Sequence, residues 1–256
     1  MKTFMFSVCA LSLTACVADY TDSDTDNDND NNDVSSEQQD IIGGTTDTGD
    51  PSVVAIFVHA PGASSGSLCS GTVISSRAVL TAAHCVDPRV VGSGQVFEVL
   101  TGTTLTGPTL AVASTAFDTA FNPNNLTGGH DIGVVRLASA TTLPAIPYNR
   151  SHTLTNVPVR LVGYGTNTHS NTGAGTKRQV TTSIVAANSL LVQIGNSNQQ
   201  TCHGDSGGPA FQTLNGRQTL IGTTSYGRDN SPTSVCFGGG VDTRVDAVLA
   251  FIDSHL

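Results

Sequence analysis

Tryptophan is absent from this sequence, aromatic residues make up 5% of it and charged residues 12%, against 27 glycines among 256 residues. Scarce charge, scarce aromatics and abundant glycine point to a loop-rich, all-β protein of one or two ordinary domains, long enough to bury a sizeable core. No Lys/Arg cluster with interleaved aromatics is present to neutralise a run of phosphates, which excludes nucleic acid as a partner. The apolar run from Phe4 to Leu13 is too short to span a bilayer. Neither an internal repeat nor a linker interrupts the chain after residue 40. The formal charge of -9 is unevenly distributed: residues 1–40 carry nine of the twenty acids and one of the eleven bases, leaving eleven acids against ten bases afterwards.

What is present begins with Lys2, the Phe4–Leu13 run and then small residues, the layout of an export signal over residues 1–15. Leu13-Thr14-Ala15-Cys16 is similar to the lipobox of bacterial lipoproteins, in which cleavage before the cysteine leaves it lipid-modified; Cys16 is thus a candidate membrane anchor, and ordinary cleavage after Ala18 is the alternative. Residues 16–40 are polar and acidic, too poor in apolar side chains to offset the entropy of ordering, and read as a tether or pro-segment. The alternating aspartates lack the mid-loop glycine and closing glutamate of a helix-loop-helix calcium site. Beyond Cys9 and Cys16, the cysteines are Cys69, Cys85, Cys202 and Cys236, which in an exported chain suggest two disulfides with three possible pairings.

From Ile41 onward, short β-branched runs such as "SVVAIFVHA", "IGVVRLA" and "TLIGTTSYG" alternate with Gly, Asn, Pro and Ser, the pattern of a sandwich or barrel. Only "VDAVLAFIDSHL" has helical spacing, with Val245, Val248, Leu249 and Ile252 on one face. Three segments carry chemistry. Ser206 lies in "GDSGGP", where glycines permit close approach of a substrate and the N–H groups of Gly204 and Ser206 can converge on one point. His84 follows an apolar strand in "LTAAHC", and Asp131 starts one in "DIGVVRL". A nucleophile, a base, a carboxylate to orient the base and donors for an oxyanion are the parts that amide hydrolysis needs.

With "IIGG", these motifs resemble, in order, the trypsin-like or chymotrypsin-like serine proteases, from Ile41 to Leu256. The resemblance implies two packed six-stranded antiparallel β-barrels with a short C-terminal helix and the site between them. It implies Ser206 as nucleophile, His84 as base, Asp131 as its orienting acid, and Gly204 with Ser206 as oxyanion hole. Ser225 then stands where backbone pairs with substrate, Gly227 and Gly240 form pocket walls, and the disulfides are Cys69 with Cys85 and Cys202 with Cys236. Asp205 would receive the amine of Ile41 after cleavage of a zymogen between Asp40 and Ile41. Neither metal nor cofactor is called for, and the expected partners are protein or peptide substrates. His59, His130, His152, His169, His203 and His255 are read as structural or solvated, His130 being the nearest competitor to His84.

Departures from the family pattern are informative. No Arg or Lys stands immediately before Ile41, which bears on activation; the Asp131–Ser206 segment is short and two further disulfides are missing, which suits a bacterial member. Gln200, six residues before Ser206, stands at the expected pocket base, where trypsin-type relatives carry an Asp, and predicts an uncharged P1 side chain. Asp242 is the competing acceptor for a basic P1, unless it faces solvent or a neighbouring backbone. The expected product is an exported, secreted or envelope-anchored serine endopeptidase; the alternative is a protease-shaped binding protein that has lost catalysis.

Overall fold

The structure is a computed structural model that describes residues 41–151, 154, 156–228 and 236–256. The export signal, the acidic tether and Cys16 lie outside the described residues, as does His152. Among the described residues no helix is long and apolar enough to cross a membrane.

The β-branched runs form strands in two antiparallel sheets. The first runs in the order Thr109–Leu110, Val96–Leu100, Val53–His59, Gly66–Ser75, Ala78–Thr81, Gly133–Leu137, Val112–Phe117. The second runs Thr45–Thr46, Arg178–Thr182, Val159–Gly163, Pro209–Leu214, Arg217–Gly227, Gly240–Arg244, Leu191–Ile194, Ile184–Ala187. In each sheet one continuous stretch is broken by a single residue, Ala111 in the first and Ser183 in the second, and its halves pair near opposite ends of the order. Register shifts at Val112/Ser114 and Ile184/Ala186 mark the bends. Such bends curl a sheet onto itself. Counting each broken stretch once, and setting aside the two-residue strand Thr45–Thr46, the seven and eight strands reduce to the six per barrel that the sequence led us to expect.

Because strand side chains alternate between faces, single strands feed two cores. Val54, Ile56, Val79 and Val135 pack together within the first barrel, while their neighbours Val53, Ala55, Leu80 and Val134 join Val162, Phe211 and Leu220 of the second barrel in a shared core. Tyr164 is fully buried in that shared core, its hydroxyl donating to the Gly102 carbonyl at 2.5 Å. The C-terminal segment, expected to be helical, forms a 3-10 turn at Val245–Ala247 followed by a short α-helix at Leu249–Asp253. Val245, Val248 and Ile252 seal the shared core, whereas Leu249 is only half-buried.

A second tie is ionic. Asp50, just ahead of the strand Val53–His59, is buried against Arg160 of the second sheet. The guanidinium also donates to Gln179 Oε1 at 2.7 Å and Gln218 Oε1 at 2.6 Å, and Lys177 Nζ donates to the Asp50 carbonyl oxygen at 2.6 Å. Removing one partner of such a buried pair strands the other charge. Arg160→Met should therefore lower stability by about 3–5 kcal/mol in urea denaturation, with partial recovery in the Arg160→Met/Asp50→Asn double variant. An Arg160→Met protein as stable as the parent would show that the network adds nothing to the docking.

Candidate active site

The strand Ala78–Thr81 runs into a single 3-10 turn, Ala83–Cys85, that carries His84. The neighbouring strand Gly133–Leu137 pairs with it, Thr81 opposite Gly133, so Asp131 enters at the same end of the sheet. The result is a short contact between Asp131 Oδ2 and His84 Nδ1, 2.7 Å, with His84 N–H donating to Asp131 Oδ1 at 2.9 Å. Asp131 is fully buried while the His84 side chain keeps 22% of its surface open. A third donor comes from the second barrel: Ser225 Oγ donates to Asp131 Oδ2 at 2.6 Å. Ser225 reaches it from a bulge, where the register shifts between Thr224 and Tyr226. Sequence reasoning assigned Ser225 a backbone role only. The signal it missed is that a buried carboxylate needs all its lone pairs answered, and a serine is a ready donor.

Ser206 arrives from the second barrel in the turn before the strand Pro209–Leu214 and is docked on the first. Ser70 N–H donates to the Ser206 carbonyl oxygen at 2.8 Å, and Cys85 Sγ, next to His84, lies 3.7 Å from that same oxygen. Two glycines make the turn possible. Gly207 has φ +78°, and a Cβ there would lie 2.0 Å from Thr81 Oγ1; Gly204 has φ +98° and would meet Gly165 Cα at 2.9 Å. The N–H groups of Asp205, Gly207 and Gly208 donate to Cys202, Thr224 and Asp205 carbonyl oxygens. Among the described residues those of Gly204 and Ser206 have no acceptor. Two unpaired donors thus flank the serine.

Asp205 points away from the serine into the second barrel. It is fully buried, accepting from Gly165 N–H at 2.8 Å and Cys202 N–H at 2.9 Å. Burial pushes its carboxyl up to about 7, against the pull of those two N–H groups. Ile41 is also fully buried, among Val159, Leu161, Val192 and Ile221, and holds φ 42°, a conformation that strains a β-branched residue. His130 pairs elsewhere, its Nδ1 2.8 Å from Asp118 Oδ2.

A cavity of about 220 Å³ opens beside Ser206, lined by Thr201, Cys202, His203, Thr224, Ser225, Tyr226, Gly227 and Cys236. Gln200, expected at its base, is not among these residues: it is fully buried, and its Oε1 accepts from Gly239 N–H at 2.9 Å. Gly240 stands one layer behind, its missing Cβ leaving room for Thr201 Oγ1. Asp242 is neither solvent-facing nor bonded to backbone, but fully buried. The disulfides join Cys69 to Cys85 and Cys202 to Cys236, the first bracing the His84 turn and the second the cavity wall. Cys69, His84 and Cys85 are close enough to suggest a metal site, but the disulfide consumes both thiolates, so these residues do not fit a metal ion.

The trypsin family model, described as "Trypsin", matches residues 41–252. Chymotrypsin-like elastase family member 1 of Bos taurus is 28% identical over 220 residues, covering 73% of this chain and 78% of its own. Brachyurin of Leptuca pugilator is 33% identical over 208 residues, with 73% and 87% covered, and trypsin beta of Drosophila erecta is 26% identical over 206 residues, with 73% and 78% covered. These relatives are animal proteins, and the bacterial origin expected from the short Asp131–Ser206 segment finds no support among them. With the paired barrels, the His84–Asp131 couple and the glycine turn around Ser206 accounted for, the chain belongs to the trypsin family of serine-type endopeptidases.

Proposed function

We propose that the protein is an exported serine endopeptidase in which Ser206 attacks the scissile carbonyl, His84 takes and returns the proton, and Asp131 holds the imidazole in the productive tautomer. The observation that carries this reading is the 2.7 Å contact from buried Asp131 to His84 Nδ1, which leaves the other ring nitrogen free to act. The N–H groups of Gly204 and Ser206 supply an oxyanion hole at little reorganisation cost, because they have no acceptor among the described residues. Two disulfides support an extracellular setting. Attachment through lipidated Cys16 is part of the proposal, resting on Leu13-Thr14-Ala15-Cys16 alone.

A fluorophosphonate should label Ser206 and no other serine, and Ser206→Ala or His84→Ala should lower peptide-bond turnover by several orders of magnitude. Asp131→Asn should lose about 10⁴-fold, as in other Ser-His-Asp triads. Turnover that survives Ser206→Ala would sink this reading, and a folded parent protein that takes no label would instead support a protease-shaped binding protein.

We infer further that the chain is a zymogen cut between Asp40 and Ile41, the new amine pairing with Asp205. Strain at Ile41 and a buried carboxyl lacking a cationic hydrogen-bond partner both favour the cut form. In the uncut chain Asp205 titrates near 7 instead of 3.8, so the folded state binds a proton that the unfolded state releases, and stability should fall as pH rises from about 4 to 7. The cut form should lose the Asp205 share of this slope and keep that of buried Asp242, and Asp205→Asn should fold yet remain poorly active. Edman sequencing of active material decides the point: any start other than Ile41 refutes the cut. With Asp40 before the cut, trypsin should not activate the chain.

A further inference from the structure

Asp131 is fully buried two residues ahead of the strand Gly133–Leu137, so its aim at His84 is set by the main chain on either side of it. That main chain is bent sharply. Gly129 has φ 74° and His130 φ 62°, the left-handed region twice in succession, and Ile132 N–H donates to the His130 carbonyl oxygen at 2.8 Å, closing a three-residue turn with Asp131 at its centre. A turn closed by one bond needs its flanks held from outside.

Asp118, which follows the strand Val112–Phe117, supplies that hold. Its N–H donates to the Ile132 carbonyl oxygen at 3.0 Å and its Oδ2 lies 2.8 Å from His130 Nδ1, so one residue grips both neighbours of Asp131. Facing a carboxylate, Nδ1 must be the nitrogen that carries the proton. The grip is itself anchored. Asp118 Oδ1 accepts from Ala120 N–H at 3.0 Å, and the Asp118 carbonyl oxygen accepts from Phe121 N–H at 3.0 Å. The Phe121 carbonyl oxygen accepts from the Arg89 guanidinium at 3.2 Å, Arg89 pairs at 2.6 Å with fully buried Asp87, and Asp87 N–H donates at 2.8 Å to the carbonyl oxygen of Ala83, in the turn that carries His84. A hydrogen-bonded belt therefore connects the Asp131 turn to the His84 turn by a second route, independent of the direct contact between the two side chains. With 31% of the His130 side chain and 17% of the Asp118 side chain exposed, the ion pair itself adds little to stability. Its worth lies in what it holds.

We propose that Asp118 is a positioning residue for the reaction: through His130 and Ile132 it fixes the main chain on both sides of Asp131, and through Phe121 and Arg89 it sets that turn against the one that carries His84. The inference rests on the proposed role of the His84–Asp131 couple. Neither Asp118 nor His130 lines the cavity beside Ser206, so this second pairing of a histidine with a carboxylate transfers no proton and keeps the first pairing aligned. Displacing a catalytic group by about 1 Å can cost about 100-fold in rate, which is why a link that adds little to folding can still govern turnover.

Two measurements test the positioning role and separate it from the catalytic reading. In the first, kcat and KM on a peptide amide are measured per active site counted by fluorophosphonate, so that misfolded protein does not enter the rate. Asp118→Ala should lower kcat about 10- to 100-fold with KM little changed, and so should His130→Gly, which breaks the same pair from the other end and tolerates the left-handed backbone. The double variant should lose no more than either alone. Asp118→Asn keeps an acceptor and His130→Asn keeps a donor at the matching atom, so each should restore most of the rate. In the second, the proton on His84 Nδ1 is followed by NMR in the Ser206→Ala protein, which needs no catalysis; held in a short bond to a carboxylate, it should resonate far downfield. Adding Asp118→Ala should shift that resonance upfield or broaden it away, whereas adding Asp118→Asn should leave it in place. Where the parent protein takes no fluorophosphonate label and the catalytic reading fails, the resonance still decides. An Asp118→Ala protein with the parent's kcat or the parent's resonance, amide variants that restore nothing, or losses that add in the double variant overturn the proposal.

Discussion

Asp131 is a charged group with no exposed surface, and the site is organised around keeping it satisfied. Its donors come from both sides of the molecule: the His84 backbone and ring from the first barrel, the Ser225 hydroxyl from the second. In separated barrels the carboxylate would lose the Ser225 donor and gain water, so its dry, three-donor environment requires the barrels to dock. Docking in turn depends on the shared apolar core around Val53, Leu80, Phe211 and Leu220, sealed by Val245 and Ile252, and on the Asp50–Arg160 pair. The environment of the His84–Asp131 couple and tertiary stability are therefore linked, and damage to the seam should reach His84 before it unfolds either barrel.

The glycine turn at Ser206 depends on the same docking. Only a glycine fits at 207, because Thr81 Oγ1 and the Ser70 carbonyl oxygen crowd it from the first barrel, and Ser70 N–H grips the serine's own carbonyl. The backbone is thus held from the first barrel, while the N–H groups of Gly204 and Ser206 have no acceptor among the described residues.

Much of this was legible in the sequence, because short motifs encode local necessities. Glycines at 204 and 207 announce positive φ, the apolar run after Asp131 announces a buried strand start, and four cysteines in an exported chain announce two bridges. What could not be read depended on contacts between distant segments. Nothing near Ser225 in the chain reveals that its hydroxyl meets Asp131, 94 residues away. Counting back from Ser206 singled out Gln200, but nothing in the chain reveals that its buried side chain accepts from Gly239 N–H, 39 residues away. Asp242 was visible as the competing acceptor for a basic P1; that its carboxylate is fully buried, with no hydrogen-bond partner among the described residues, emerges only once two glycines and a paired strand surround it. The short C-terminal helix was legible, but not that its apolar spacing opens with a 3-10 turn at Val245–Ala247 before the α-helix Leu249–Asp253.

The bends at Ala111 and Ser183 have a consequence for the protein after maturation. Loss of residues 1–40, as proposed, removes most of the negative charge, leaving eleven acids against ten bases. A nearly neutral, strand-rich surface has little colloidal repulsion to keep copies apart. In an open sheet, unpaired backbone along an outer strand would invite another copy to add on. Here three of the four outer positions are taken by halves of bent strands engaged elsewhere in the same sheet and the fourth by the two-residue strand Thr45–Thr46, so the shape of the barrels protects against aggregation where charge no longer does.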